Sequence, residues 1–331
     1  MTTAWRERGW VWLTLLALAA APALAGSVFS AEGSFERTLT VTGPVALDVT
    51  TGSGNIQIRT GESGRVRVVG RIRATRGFLG GSRGAEEKVR YLEANPPIEQ
   101  SGNSIRIGTI EQEELRRNIS ISYEIEVPAD TRVKAHTGSG NQTIEGVKGP
   151  VEAGTGSGEL RITGIGGEVR ASTGSGDIEL DSVEGMVRAE TGSGSIRALG
   201  VGGIFIAETG SGNVVGELTK GGDAEVGTGS GNIEVRGVRG GVRASTGSGN
   251  IRIEGEPTNI WKLEAGSGGI ALRLPANAGF ELNARTGSGS ISSDHPITVQ
   301  GTFGRRQLRG TVRGGGPLID LHTASGNIRI E

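Results

Sequence analysis

The sequence of 331 residues contains no cysteine, and only 4% of its residues are aromatic. Without cysteine no disulfide can form, so stability has to come from packing and backbone hydrogen bonds. The formal net charge of -1 gives neither a basic surface for nucleic acid nor an acidic tail. The scarcity of aromatic rings leaves few surfaces on which a sugar could stack.

Glycine, by contrast, is abundant, with 60 residues and no collagen triplet, which is typical of a turn-dense repeat protein. The tetrapeptide TGSG recurs at intervals of 18 or 19 residues, with copies that start at Thr137, Thr155, Thr173, Thr191, Thr209, Thr228 and Thr246. Degenerate copies start at Ala265, Thr286 and Thr323, and an early copy at Thr51 stands apart. A period near 20 residues predicts a solenoid.

The repeating unit is well represented by VRASTGSGDIELDSVEGM, residues 169–186. Apolar and polar residues alternate on both sides of TGSG, so each unit holds two short strands. The unit has no helical period and is too short for a crossover helix between parallel strands. We therefore predict an all-β chain that forms a parallel β-helix, or β-solenoid, with coils of about 18 residues, and we expect a right-handed coil.

Neighbouring coils of such a fold lie about 4.8 Å apart, so each residue stacks on its equivalent one unit along. A small interior column is predicted to run Ala135, Ala153, Ala171, Ala189, Ala207, Val226, Ala244, Leu263 and Ala284. A bulkier interior column runs Leu160, Ile178, Ile196, Val214, Ile233, Ile251, Ile270 and Ile291. An exposed column runs Arg161, Glu179, Arg197, Val215, Glu234 and Arg252. Opposite charges favour this register, whereas Arg170 beside Arg188 opposes it.

The tetrapeptide itself is predicted to be a corner of the coil. Thr173 lies two residues after the inward-facing Ala171, so its side chain should also point inward. We therefore expect its hydroxyl to hydrogen-bond along the stack. Gly174 and Gly176 are expected to supply backbone angles that other residues avoid. Asn or Asp often follows, as a residue type that forms side-chain ladders, at Asn141, Asp177, Asn213, Asn232, Asn250 and Asn327.

The N-terminal sequence, MTTAWRERGWVWLTLLALAAAPALA, predicts a secretory signal peptide over residues 1–25. Arg6 and Arg8 precede an apolar run that ends in the small residues of a cleavage site before Gly26. The run is short for a membrane span, so a retained anchor is the less favoured alternative. No cysteine follows that could carry a lipid anchor. We expect an extracytoplasmic protein, in the periplasm, at the cell surface or secreted, with no membrane span after signal removal.

Residues 26–130 are less regular and are predicted to form an N-terminal cap with one early coil. Strands are expected at Arg65–Ile72, Ser104–Ile110 and Ile119–Val127, and one helix at Gly84–Pro97, stopped by Pro96. A cap is needed because an open strand edge invites aggregation.

The regular solenoid is expected over residues 131–331, with a cap on its C-terminal edge. Charged residues on a terminal strand guard against edge-to-edge pairing. Four arginines lie in the C-terminal stretch at residues 301–321, at Arg305, Arg306, Arg309 and Arg313.

The sequence resembles the bacterial β-strand-repeat proteins of unknown function that are described as putative adhesins. The resemblance rests on the TGSGxIxI units, on YEIEVPADTRVKAHTGSGN at residues 123–141, and on the ending GTVRGGGPLIDLHTASGNIRI. It covers nearly all of the chain after the signal peptide. The resemblance implies a β-helix and an extracytoplasmic location, and it brings no active-site residue.

Catalytic and metal sites are not indicated. Polysaccharide hydrolysis needs paired carboxylates in a cleft, whereas Asp177 and Asp181 fall in ordinary turns. The histidines His136, His295 and His322 are far apart in the sequence. Asp177 sits one place too early for the calcium-binding nonapeptide. We therefore predict no enzyme, no catalytic, cofactor-binding or metal residue, and no cofactor.

Two other ligands for the repeat are disfavoured. A phosphate loop precedes a helix, whereas each TGSG precedes a predicted strand. Ice binding would use a regular hydroxyl array, but Thr173 is predicted to point inward and Ser175 to lie in a turn. Thermal hysteresis measured on the purified protein would support ice binding after all.

Two functions remain after these exclusions. The first is a non-enzymatic adhesin or extended scaffold whose partner is an envelope or surface protein or a glycan, with no nucleic acid bound. The alternative is a periplasmic, structural or regulatory protein that binds another envelope protein. The sequence shows no translocator barrel, sorting signal or lipid anchor to hold it on the cell surface, which opposes a strict adhesin.

Overall fold

The computed structural model describes residues 29–75, 82–108, 110, 112–299 and 304–331. Strands dominate these residues and wind into one continuous stack of coils, so the predicted all-β solenoid is confirmed. The predicted signal peptide at residues 1–25 lies outside the described residues. No helix in the described part of the chain is long and apolar enough to cross a membrane.

The described residues of the N-terminal region form seven strands and two helices. In chain order they are β1 Phe29–Thr40, β2 Val45–Ser53, β3 Ile56–Thr60, β4 Arg65–Thr75, α1 Ser82–Ala94, β5 Ile98–Ser101, β6 Ser104–Ile107, α2 Glu113–Arg116 and β7 Ile119–Val127.

The central region contains only strands. They are β8 Thr131–Ser139, β9 Gln142–Glu145, β10 Val151–Ser157, β11 Leu160–Ile165, β12 Val169–Ser175, β13 Ile178–Val183, β14 Val187–Ser193, β15 Ile196–Val201, β16 Phe205–Ser211, β17 Val214–Leu218, β18 Ala224–Ser230 and β19 Ile233–Ser248. The C-terminal region adds β20 Ile251–Ser267, β21 Ile270–Arg273, β22 Phe280–Ser288, β23 Ile291–Ser293, β24 Thr298–Val299, β25 Gln307–Val312, β26 Leu318–Ser325 and β27 Ile328–Ile330.

Each coil contributes one strand that ends in the tetrapeptide and one strand that follows it. Both kinds stack in parallel and in register: Ala171 of β12 pairs with Ala153 of β10 and with Ala189 of β14. In the following strands Ile178 pairs with Leu160 and Ile196. The predicted interior columns are confirmed from Ala135 to Leu263 and from Leu160 to Ile270. Because apolar residues alternate with polar ones along each strand, the stack buries a continuous apolar core.

The like charges of Arg170 and Arg188 do lie side by side in register. Each guanidinium turns to a carboxylate two residues away on its own coil, Arg170 to Glu168 and Arg188 to Glu190, both at 2.6 Å. These local ion pairs explain how the column tolerates two neighbouring arginines.

The N-terminal end departs from sequence order. The early copy of the tetrapeptide does not stand apart: Thr51 pairs with Thr137, so β2 and β3 stack directly on β8 and β9. Below them lie β6, paired with β2, and β7, paired with β3. The outermost coil is thus made by residues 104–127, which come later in the chain than the coil on which they stack.

The C-terminal end is interleaved in the same way, and here the predicted order of the columns is wrong. Leu263 does not pair with Ala284; both pair with Leu321 of β26. Likewise Ile270 and Ile291 both pair with Ile328 of β27. The last segment of the chain is therefore inserted between two coils that precede it in sequence.

Antiparallel strands close both ends of the stack. At the N-terminal end β4 pairs with β7 and β1 pairs with β4, while β5 pairs with β6. At the C-terminal end β25 covers β22, and β24 pairs with β25. β25 carries exposed Arg309 beside buried Leu308, and Arg305 and Arg306 form the turn before it.

The predicted helix at residues 84–97 is present as α1 at Ser82–Ala94, and Val89 and Leu92 are buried in the core. The carboxylate of Glu93 accepts a hydrogen bond from the backbone N–H of Ser34 at 2.9 Å, which ties α1 to β1. The expectation of a single helix is wrong, since the short helix α2 is also present. No residue of α2 is buried, so no apolar pattern marks it in the sequence.

The interleaved end can be tested with engineered cysteines, because the chain has none of its own. Asp320 pairs with Lys262 on one side and with Asn283 on the other. The coil of Asp320 therefore lies between the coils of Lys262 and Asn283. We expect a disulfide in Lys262→Cys/Asp320→Cys and none in Lys262→Cys/Asn283→Cys, since only neighbouring coils bring the Cα atoms within bonding range. Oxidation followed by non-reducing electrophoresis measures this, with Arg170→Cys/Arg188→Cys as positive control. A disulfide in Lys262→Cys/Asn283→Cys and none in Lys262→Cys/Asp320→Cys would show instead that the terminal coils stack in the order of the sequence.

Candidate functional site

The tetrapeptide corner is held together by its threonine. The Thr173 hydroxyl is buried and donates a hydrogen bond to the carbonyl oxygen of Gly158, in the preceding coil, at 3.1 Å. The same bond, at 2.8 to 3.1 Å, is made by Thr137, Thr155, Thr191, Thr209, Thr228, Thr246, Thr286 and Thr323. The predicted inward hydroxyl column is confirmed.

The two glycines of the corner serve different purposes. Gly176 has a φ of +146°, and a Cβ there would meet the carbonyl oxygen of Gly158 at 2.0 Å. Gly174 does not have a left-handed φ, which corrects the expectation for this residue. It is needed instead for a close approach, because a Cβ would lie 2.6 Å from the carbonyl oxygen of Gly156.

The position after the tetrapeptide forms the predicted ladder. The side-chain oxygen of Asn232 accepts a hydrogen bond from the backbone N–H of Asn250 at 2.9 Å, and that of Asn213 does the same for Asn232 at 2.8 Å. Asp177 accepts in the same way from the N–H of Ser195 at 2.7 Å. These residues therefore bind the next coil, and their side chains satisfy backbone donors at an exposed corner.

The serine of the tetrapeptide is different. Eleven serines pair in register in the order Ser53, Ser139, Ser157, Ser175, Ser193, Ser211, Ser230, Ser248, Ser267, Ser325 and Ser288. All are exposed, and none of their hydroxyls has a hydrogen-bond partner among the described residues. We call this column the serine ribbon. Sequence reasoning placed Ser175 in the turn but did not foresee that its hydroxyl is free.

A second exposed surface, which we call the axial groove, runs along another corner of the coils with a volume of 530 Å³. Its floor holds Ile165 and Val183, and its walls are Gly146, Lys148, Gly164, Gly166, Ser182, Glu184, Gly200, Gly202, Thr219 and Lys220. The wall residues Gly146, Gly164, Ser182 and Gly200 have φ between +56° and +76°. Because most of them lack a side chain, the groove exposes backbone, a feature of sites that another chain approaches closely.

Sequence reasoning missed the axial groove, although its signal is present. Glycine recurs at Gly146, Gly164, Gly200 and Gly237, outside the tetrapeptide and at about the same period. Charged side chains in the groove are few. Lys148 lies at one end, and Lys220 at the other makes an ion pair with Glu184 at 3.4 Å.

Most titratable groups form exposed ion pairs along the columns. The guanidinium of Arg67 hydrogen-bonds Glu36 and holds the pKa of that carboxyl below its ordinary value. Lys262 does the same to the pKa of Glu264. Burial raises the pKa of Tyr123 well above its ordinary value, and its hydroxyl has no hydrogen-bond partner among the described residues. Tyr123 packs against Phe35 inside the core, so this shift marks a structural position.

The histidines are kept apart. The Nε2 of His136 in β8 lies 3.5 Å from the carboxylate of Glu152 in the neighbouring β10, and His322 pairs with Glu264 near the other end of the stack. His295 is buried against the ring of Phe280. In the described part of the chain no three His, Asp or Glu side chains come together as metal ligands would. Asp177 is a ladder residue, and Asp181 is exposed and hydrogen-bonds Ser182.

Comparisons with known proteins give one family match. Residues 205–331 match the family described as Toastrack DUF4097, which confirms the resemblance drawn from the sequence for that part of the chain. No curated protein matches the chain.

Three solved structures are similar to this chain over 90% of its length. A putative cell adhesion protein from Clostridium sporogenes is 12% identical, with 99% of that chain covered and a TM-score of 0.23. A putative adhesin from Bacteroides fragilis is 12% identical, with 97% covered and a TM-score of 0.32. A putative adhesin from Parabacteroides distasonis is 8% identical, with 97% covered and a TM-score of 0.29.

The roles of the corner glycines give a stability prediction. Gly176→Ala should lower the free energy of unfolding by more than about 2 kcal/mol, because the left-handed φ and the contact with Gly158 both oppose a Cβ. Gly227→Ala is the control, since a Cβ there has its nearest neighbour at 3.8 Å. Urea denaturation measures both. Equal stability of the two variants would contradict the proposed role of Gly176.

Proposed function

We propose that the protein is a non-enzymatic, extracytoplasmic β-solenoid that works as an adhesin or extended scaffold and binds a protein or a glycan. The observation that carries this proposal is the axial groove. It is an open concave surface that crosses five coils, and its walls are backbone and small side chains. Such a surface suits an extended partner that lies along the stack.

The side chains around the groove support binding rather than catalysis. General acid–base chemistry needs a proton donor and acceptor aimed at one reacting position. Among the described residues that line the groove, Glu184 is the only carboxylate, and it is paired with Lys220 on the surface. We propose accordingly that the chain has no catalytic, cofactor-binding or metal residue.

We propose the predicted division of the chain as well: a signal peptide at residues 1–25, a cap at residues 26–130, and the regular solenoid at residues 131–331, wound right-handed. The antiparallel strands and α1 support a capping role for the N-terminal region, since β4 pairs with β7 of the outermost coil, β1 pairs with β4, and α1 packs on both β1 and β4.

The location is tested by protease accessibility in whole cells. We expect the protein to be digested in intact cells, because an adhesin has to face its partner outside the envelope. The measurement is immunoblotting after protease treatment of intact cells and of cells with a permeabilised outer layer, with a periplasmic protein as control. Digestion only after permeabilisation would favour the alternative, a periplasmic protein with an envelope partner.

The groove is tested with Gly164→Asn. Asn tolerates a left-handed φ, and Ser182 already occupies the same column at +56°, so the variant should fold while its side chain fills the groove. Partner capture from an envelope extract should fall about tenfold, which corresponds to the loss of a few contacts. Gly227→Asn, at a half-buried position of β18 outside the groove, is the control and should bind normally. Equal capture by both variants would place the binding surface elsewhere.

A further inference from the structure

The exposed column that contains Arg252 is interrupted by a small residue near the C-terminal end of the stack. Glu234 pairs in register with Arg252, and Arg252 pairs with Ala271 of the next coil. Ala271 in turn pairs with Arg329, so an alanine stands between two arginines. Because neighbouring coils are only about 4.8 Å apart, the short side chain leaves a space that is bounded by long ones.

This space is a pocket of 560 Å³, which we call the alanine pocket. Ala271 and Leu272 form its floor, and its walls are Arg236, Arg252, Glu254, Arg273 and Glu331. Its volume falls in the range of small-ligand sites, which is about 300 to 1,000 Å³. The pocket lies nearer the C-terminal end of the stack than the axial groove, so the two surfaces share no residue.

Strands, and not loops, hold the walls of the alanine pocket. Arg252 and Glu254 lie two residues apart on β20 and both face outward, because Ile253 between them is buried. Their backbones are therefore about 7 Å apart on one face. Glu331 is tied to the neighbouring coil by its backbone N–H at 2.9 Å, and Arg329 holds its carboxylate from the other side at 2.6 Å. The charged groups thus stand at fixed positions around the alanine.

The charges in the alanine pocket are unequally paired. Arg236 is engaged by a carboxylate on its own strand. Arg273 lies 3.9 Å from the carboxylates of both Glu254 and Glu331, which is longer than a hydrogen bond. Arg252 makes no hydrogen bond or ion pair with any residue that the structure describes. The pocket therefore offers one free guanidinium and two carboxylates with acceptor positions left over.

We propose that the alanine pocket binds a uronic acid unit of an acidic saccharide. The carboxylate of the sugar lies over Ala271, where the planar guanidinium of Arg252 donates two parallel N–H groups to it. The ring hydroxyls on the other side of the sugar donate to the carboxylates of Glu254 and Glu331. The site is separate from the axial groove, so it extends the proposed function and does not depend on that surface.

The balance of charge selects a ligand with a single negative group. Three arginines against two glutamates leave the lining with one positive charge. A neutral sugar supplies no counter-charge to Arg252, whereas a nucleic acid brings several phosphates close to Glu254 and Glu331. An acidic peptide also carries a carboxylate, but its aspartate or glutamate side chain brings no hydroxyl donors for the two glutamates. A uronic acid supplies both kinds of group.

The ligand is tested by NMR titration of the ¹⁵N-labelled protein with galacturonate. Galactose is the matched control, because it is the same sugar without the carboxylate. We expect galacturonate to shift the backbone signals of Ala271 and its neighbours, and galactose to leave them unchanged. Binding should weaken as the salt concentration rises, since the ion pair with Arg252 is exposed to solvent.

Two variants test the residues of the pocket by different means. Arg252→Gln should weaken the binding of galacturonate at least about tenfold, because hydrogen bonds between charged groups are the strong ones. Ala271→Glu places a carboxylate between Arg252 and Arg329, so it should abolish binding while opposite charges on neighbouring coils keep the fold stable. Arg197→Gln is the control, since Arg197 is an exposed arginine of the same column outside the pocket. Thermal unfolding checks that all three variants fold.

Three outcomes would overturn the proposal. They are undiminished binding of galacturonate by Arg252→Gln, equal shifts with galactose, and tighter binding of N-acetyl-aspartate amide, which would assign the pocket to an acidic peptide. The variant Gly164→Asn in the axial groove should bind galacturonate as wild type does. Failure of the groove experiment therefore leaves the alanine pocket standing, and loss of galacturonate binding leaves the groove standing.

Discussion

The close approach of successive coils at the tetrapeptide corner is the constraint on which the rest of the structure depends. The backbone of Gly176 passes so near the carbonyl oxygen of Gly158 that only glycine fits, and Thr173 donates its hydroxyl to the same oxygen. The corner thus sets the spacing and the register of each coil on the next. Once the register is set, the strands on both sides can stack equivalent residues, and the apolar core follows from their alternation.

The regular part of this arrangement is predictable from the sequence because every relevant interaction repeats with the motif. The inward threonine, the ladder of asparagines and the columns around Ala171 and Ile178 all follow from two features of the sequence. These are the period of about 18 residues and the alternation of inward and outward residues along each strand. The sequence does not reveal that Gly174 and Gly176 are needed for different reasons. A close backbone contact and a left-handed φ both require glycine, so the two cases look the same in the sequence. The axial groove does not follow from the tetrapeptide, because its glycines, such as Gly146, Gly164 and Gly200, lie outside that motif.

The order of the terminal coils was not predictable from the period, since any coil with the motif can stack on any other. A physical reason is visible in the side chains. The inserted C-terminal segment carries Ile328 and Ile330, both fully buried, whereas the outer coil has Ile291 and Ser293, which are partly exposed. The segment with the more complete apolar pattern occupies the inner position, where both of its neighbours bury it. Comparison of apolar patterns between copies could therefore have suggested which coil lies outermost.

Repetition also decides how side chains are distributed over the surface. A stack of near-identical coils places one kind of group at many equivalent positions. The serine ribbon exposes one hydroxyl on each coil that carries the tetrapeptide, while the described lining of the axial groove spans five coils and has its charges at Lys148, Glu184 and Lys220. The two surfaces lie on different corners of the coil, so a substitution in one leaves the residues of the other in place.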